Sequence, residues 1–154
     1  MPALVLGLLM VTGPVEAEPV RVGWSEPVSF PRLELQLPAK LDTGARTSSL
    51  GGRDLKAFQR GGQEWVAFTL MEGDKRIERA VVRYVTIRRA GAPDQRRPVV
   101  RMQICVAGIT RSTQFTVTDR RGMDYPVLLG RRFLAGRVVV DAGLENVTEG
   151  RCGP

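Results

Sequence analysis

Leu33-Glu-Leu-Gln-Leu-Pro-Ala-Lys-Leu41, running straight into Asp42-Thr43-Gly44-Ala45-Arg-Thr-Ser-Ser-Leu50, is the stretch that decides how this chain is read. Every second residue from Leu33 to Leu41 is apolar, the period of a strand with one buried face. The strand pattern stops at Asp42, on a tight Gly turn among small hydroxyl residues. A carboxylate so placed can take a proton from water. Gly44 lets the backbone turn sharply, and the Thr43 hydroxyl can hydrogen-bond across to a facing loop.

Outward from this stretch the chain keeps the same period. Residues 64–71, 77–88, 99–106 and 110–118 alternate or carry runs of Val and Ile, as do the shorter segments 125–129 and 138–140. Residues 55–59 read as a short strand or turn after a break at Gly51-Gly52. Arg60-Gly-Gly-Gln63, Glu72-Gly-Asp-Lys75 and Ala107-Gly108 are turn signals between them. Only residues 131–134 suit a helical turn. The 154 residues, 43% of them hydrophobic and with 17 Gly and 10 Pro, therefore predict one all-β domain with a core of Val, Leu and Ile.

The chain contains no histidine. That removes Ser-His and Cys-His nucleophilic mechanisms and every His-ligated zinc site. Cys105 and Cys152 are too few and too far apart for a zinc cluster, and no Gly-x-x-x-x-Gly-Lys phosphate loop is present. No metal and no cofactor is expected. Hydrolytic chemistry is left to carboxylates, Lys or Ser.

Residues 1–17 read as an export signal, with an apolar run too short to span a bilayer and small residues at Val15-Glu16-Ala17. No Lys or Arg precedes that run. Cleavage after Ala17 makes the net charge of +7 one unit more positive. The expectation is a periplasmic or secreted protein without a stable membrane span. Residues 18–31 read as an extended N-terminal arm and 32–154 as the folded domain. In an oxidising compartment Cys105 and Cys152 either form a disulfide or remain two separate thiols, one in the core and one on the tail.

A second segment, Tyr125-Pro-Val-Leu128-Leu129-Gly130-Arg131-Arg-Phe-Leu134, completes a pair with Asp42-Thr43-Gly44-Ala45. Together they resemble the retropepsin-like aspartic proteases. The resemblance is closer to a bacterial branch that carries the name ATP-dependent zinc protease, through Lys40 to Leu50 and Thr118-Asp-Arg-x-x-Met-x-Tyr-Pro-x-Leu-Leu-Gly-Arg131. It covers residues 33–141. The missing histidine is at odds with the zinc in that name.

The resemblance implies a closed β-barrel of the acid-protease type, a single lobe with a flap hairpin. It also implies that two Asp42 carboxylates, one from each subunit of a twofold homodimer, share a proton and activate a water. Thr43, Gly44 and Ala45 would form the active-site loop, with Leu128, Leu129, Gly130 and Arg131 supporting it. The flap would pair residues 79–89 with 97–106. Its tip, residues 90–96, would include Ala90, Gly91, Ala92 and Pro93.

Three points depart from the family or compete with it. Arg46 stands where retroviral members have an acid, so Arg131 needs another partner, expected in Asp119 or Asp124. Gly51 stands where the bacterial branch often has His or Asn. Asp141-Ala-Gly143 repeats the Asp-x-Gly pattern but is followed by too little chain to build a second lobe, so it is expected to cap a strand end. The substrate class is a peptide or protein, with basic flap flanks (Arg88, Arg89, Arg96, Arg97) that would favour acidic ones if they face the cleft. A non-catalytic peptide-binding or scaffold protein of the same fold is the rival. Nucleic acid is disfavoured because aromatic residues for stacking are sparse.

Overall fold

The computed structural model describes residues 17–148 and residue 152, so the expected export signal lies almost wholly outside the described residues. The chain runs β1 (Val20–Phe30), a 3-10 turn (Pro31–Leu33), β2 (Leu35–Leu41), β3 (Ser48–Arg60), β4 (Gln63–Leu70), β5 (Arg76–Arg89), β6 (Ala92–Val106), β7 (Ile109–Thr118), β8 (Val127–Leu129), α1 (Arg131–Leu134) and β9 (Val138–Glu145). No helix among the described residues is long and apolar enough to cross a membrane.

The nine strands form one sheet in the order β4-β5-β6-β7-β3-β8-β2-β1-β9. Two further pairings, β4 with β3 and β6 with β1, curl it into rings. The all-β, retropepsin-like expectation therefore holds, though the sheet is not a clean closed barrel: β9 pairs only with β1. Alternation along the strands turns Val28, Phe30, Leu37, Leu41, Leu50, Phe68, Ile104, Phe115, Val117 and Leu129 inward, all at most 4% exposed. Full burial of each such side chain contributes roughly 1.5–3 kcal/mol.

Residues 20–30 are not part of the extended arm expected from the Pro-rich stretch 18–31 but a strand held between β2 and β9. Val22, Val28 and Phe30 are fully or almost fully buried, and Pro27 lies opposite Pro38 of β2. Gly51-Gly52 is not a break either; both residues lie within β3. A Cβ on Gly51 would come within 2.6 Å of Met71 Cγ, and one on Gly52 within 2.7 Å of the Phe68 ring. These glycines serve close packing rather than chain reversal. The Gly61-Gly62 hairpin does behave as read, with φ of 58° and 75°, the left-handed pair a two-residue turn demands.

Two devices fasten the C-terminal segment. Cys105 in β6 is disulfide-bonded to Cys152, with Cα atoms 5.8 Å apart, which settles the alternative left open by the sequence. The second was not legible. Glu26, 0% exposed, accepts hydrogen bonds from the amides of Gly23 (2.6 Å), Val147 (3.2 Å) and Thr148 (3.0 Å) and from the Thr148 hydroxyl (2.6 Å). A buried carboxylate satisfied this fully ties the chain after β9 back to β1.

Candidate active site

β2 and β3 lie on opposite sides of the short β8. Lys40 and Leu41 pair with Leu128 and Leu129 in parallel, while Ser49 and Leu50 pair with Leu128 and Val127 in antiparallel. The connection between β2 and β3, residues 42–47, must therefore loop over the end of β8, where Gly130 begins the exit toward α1. Asp42 N donates to Leu129 O at 2.8 Å and closes the seam.

The Asp42 carboxylate is oriented by its own turn. Its Oδ1 accepts the amides of Gly44 (2.9 Å) and Ala45 (3.1 Å). Its Oδ2 makes no hydrogen bond among the described residues. A Cβ on Gly44 would stand 3.1 Å from Oδ1, so the glycine keeps that oxygen's approach clear. Asp42 is half-buried, whereas Thr43 and Gly44 are exposed.

Gly130 packs under the turn. A Cβ there would fall 2.6 Å from Thr47 O and 2.7 Å from Thr47 C, too close for any side chain. Gly130 N donates to Ser48 Oγ at 3.2 Å. Arg131 N donates to Ala45 O (2.9 Å) and Arg132 N to Arg46 O (3.1 Å). The Arg131 guanidinium donates to the carbonyls of Thr43 (2.9 Å) and Gly44 (2.7 Å). Neither Asp119 nor Asp124 is its partner, contrary to expectation; Asp119 is held by Arg121. The turn's carbonyls have no strand partner, and a fork of N–H donors satisfies them as a carboxylate could not.

The turn and Leu128-Leu129-Gly130-Arg131 are thus brought into one unit. Other expected residues fall elsewhere. The hairpin of β5 and β6 exists, but its tip is the tight pair Ala90-Gly91, with Arg89 opposite Ala92. Ala92 and Pro93 lie within β6 rather than in a seven-residue loop, because Ile87, Thr86 and Val85 find partners in Gln95, Arg96 and Arg97. Asp141 does not cap a strand end but sits inside β9 opposite Gly23. Arg21 holds its carboxyl below the usual carboxylate range, helped by the Gly143 amide.

A groove of about 570 Å³ is lined by Lys40 and Leu128, from the two strands that lead into the turn and the Gly130 segment. Trp24, Lys40, Arg120, Met123, Tyr125 and Leu128 line it, and Trp24 meets Tyr125 edge-on with ring centroids 5.8 Å apart. Burial lowers the pKa of Arg120, and the nearby Arg97 of the β5–β6 hairpin lowers it further. Arg97 itself is shifted down by burial and by Arg89. One flank of the hairpin therefore lies within electrostatic reach of the groove, whose lining carries two cations, Lys40 and Arg120, and one acid, Asp124. Reading residues 18–31 as an arm hid Trp24. The outward parity of Lys40 in β2 was the available signal for its place.

The family model described as "RimB-like: Retropepsin-like aspartic endopeptidase RimB" matches residues 21–150. The chain is 32% identical over 127 residues to a "Probable alpha-L-glutamate ligase" of Shewanella pealeana, covering 78% of this chain and 28% of that protein. A protein of the same description from Parasynechococcus marenigrum is 33% identical over 127 residues, covering 78% of this chain and 27% of its own. The chain thus spans little more than a quarter of these relatives. Among solved structures, a Legionella pneumophila protein of unknown function, Lpg0085, superposes with a TM-score of 0.72 at 30% identity, covering 84% of this chain and 98% of that one. With the match running from β1 to beyond β9 and including both motifs of the Asp42 unit, this chain belongs to the RimB-like family of retropepsin-like aspartic endopeptidases.

Proposed function

We propose that this protein is an exported aspartic endopeptidase, active as a twofold homodimer in which two Asp42 carboxylates share a proton across the axis. The observation that carries this reading is the state of the Asp42 turn. One carboxylate oxygen is fixed by two amides, the other is unengaged, and the flanking Thr43 and Gly44 stand exposed beside it. No second carboxylate among the described residues hydrogen-bonds to Asp42, so the acid partner is taken from a second copy.

In the dimer, one Asp42 takes a proton from water while its mate donates to the peptide carbonyl oxygen. Thr43 braces one turn against the other, and Ala45 with the β5–β6 hairpin binds the substrate backbone as an added strand. Opening of the hairpin about Ala90-Gly91 gates entry. Lys40 and Arg120 outnumber the one acid of the groove, Asp124, and with Arg97 near Arg120 they favour an acidic peptide. The glutamate ligase names of the relatives are in keeping with glutamate-rich substrates. The Cys105–Cys152 bridge favours an oxidising compartment, in keeping with export.

Cleavage of a glutamate-rich peptide library by wild type and Asp42→Asn, with the oligomeric state measured in parallel, tests the proposal. The expected result is turnover by a dimer and none by the variant. Equal turnover by both, or none by a verified dimer from acid to neutral pH, would leave a peptide-binding module of the same fold.

A further inference from the structure

β7 outruns its neighbour. Only Phe115–Thr118 pair with β3, so the edge of residues 109–114 on that side has no strand beside it among the described residues. α1 and the chain after it cross the gap instead and leave a pocket of about 260 Å³. Four guanidinium groups line this pocket: Arg83 from β5, Arg111 from β7, Arg132 from α1 and Arg137 just beyond it. Thr47, Ser112 and Thr113 add hydroxyl groups, and no carboxylate lines it among the described residues.

Two of the four cationic side chains are held in place by hydrogen bonds. Arg83 donates through one Nη to the Gln114 side chain. Arg137 donates through Nη1 to the carbonyls of Phe133 (2.8 Å) and Ala135 (3.1 Å) at the end of α1. Each keeps further N–H groups unused. Arg111 and Arg132 have no side-chain hydrogen bond and no ion pair among the described residues. Four like charges around so small a space repel one another unless an anion joins them. The four groups come from three separate parts of the fold, β5, β7 and the α1 segment, and donors so distributed suit a tetrahedral oxyanion with several acceptors better than a planar carboxylate, which one guanidinium fork can satisfy.

We infer that the pocket between β7, Thr47 and α1 is a binding site for a small ligand carrying a phosphoryl group. It is separate from the Trp24–Leu128 groove, and its existence does not depend on peptide hydrolysis. The site has a structural consequence, because Thr47 and Arg132 belong to the fastening of the Asp42 turn. A phosphoryl group joined to both and to Arg111 would brace that turn against β7.

The test is titration of the full chain with inorganic pyrophosphate at physiological ionic strength, by calorimetry and by amide chemical shifts. Saturable one-site binding is expected, with shifts confined to residues 47, 111–116 and 131–137. At about a hundredfold excess over Kd the melting temperature should rise by roughly 8 °C. Arg111→Ala with Arg132→Ala, both exposed side chains, should weaken binding at least about tenfold, while Arg76→Ala with Arg88→Ala, the same change of charge elsewhere, should not. Non-saturable binding, equal loss in the control pair, or shifts centred on Lys40 and Arg120 would each overturn the inference. So would a glutamate tripeptide that occupies the same residues more tightly than pyrophosphate.

Discussion

The chain contains two Asp-x-Gly motifs, one on a turn and one inside a strand, and the contrast between them shows what makes one a candidate catalyst. In both, the carboxylate accepts the amide of the Gly two residues on, at 2.9 Å for Asp42 and 2.8 Å for Asp141. Their surroundings diverge. Asp141 lies within an edge strand and is neutralised by Arg21. Asp42 has one oxygen unengaged among the described residues, and its turn is braced by backbone bonds from Arg131 and Arg132 and by a glycine with no room for a side chain. The local motif orients a carboxylate in either place. Only the neighbours decide whether the charge is spent on a cation or kept for a water.

Replacing the two acids in turn should give the largest difference. Asp42→Asn is expected to lower peptide cleavage by at least about a thousandfold, whereas Asp141→Asn should leave turnover within about twofold, both read as kcat/KM on the same peptide. A smaller contrast concerns how each region is anchored. The chain after β9 is held covalently, so Cys152→Ser should cost roughly 2–4 kcal/mol in a urea titration. The Asp42 turn should keep its amide chemical shifts in that variant, since none of its bonds passes through the bridge.

The glycines come next. Gly130→Ala forces a Cβ against Thr47 backbone 2.6 Å away and should lower stability by roughly 1–3 kcal/mol, with activity falling as the turn shifts. Gly143→Ala meets only Asp141 Oδ1 at 3.3 Å and should stay within about 0.5 kcal/mol, by the same titration. The smallest effect is one of pH. Because Arg21 holds Asp141 below its unfolded value, the pair stabilises the fold above roughly pH 4 and the contribution is lost as pH falls through the lower folded value. Arg21→Ala should therefore flatten the acid limb of stability against pH while leaving the Asp42 unit unchanged. An unaltered acid limb would show that Asp141 carries no such coupling.

The site was more legible than the frame around it. Asp42 with the Gly44 turn and Leu128 to Arg131 are two short motifs, each legible by itself and paired through the family resemblance, and period-two alternation marked most strands. Residues 20–30 misled because Pro19, Pro27 and Pro31 read as punctuation, although Pro27 fits where it faces Pro38. Gly51-Gly52 misled because a glycine admitting Met71 or Phe68 looks the same in sequence as one reversing the chain. The flap tip came out too long because nothing local says that Gln95, Arg96 and Arg97 will find register with β5.

By itself the sequence determined the all-β class, the carboxylate on its turn and the exclusion of histidine chemistry. Each follows from residue type and near-neighbour spacing. The tertiary structure alone decided that Gly130 fits beneath Thr47, that Arg131 serves carbonyls rather than an acid, that Glu26 clamps the tail and that four arginines surround one pocket. Those relations join residues far apart in the chain. They depend on strand register and close approach, which no local pattern encodes.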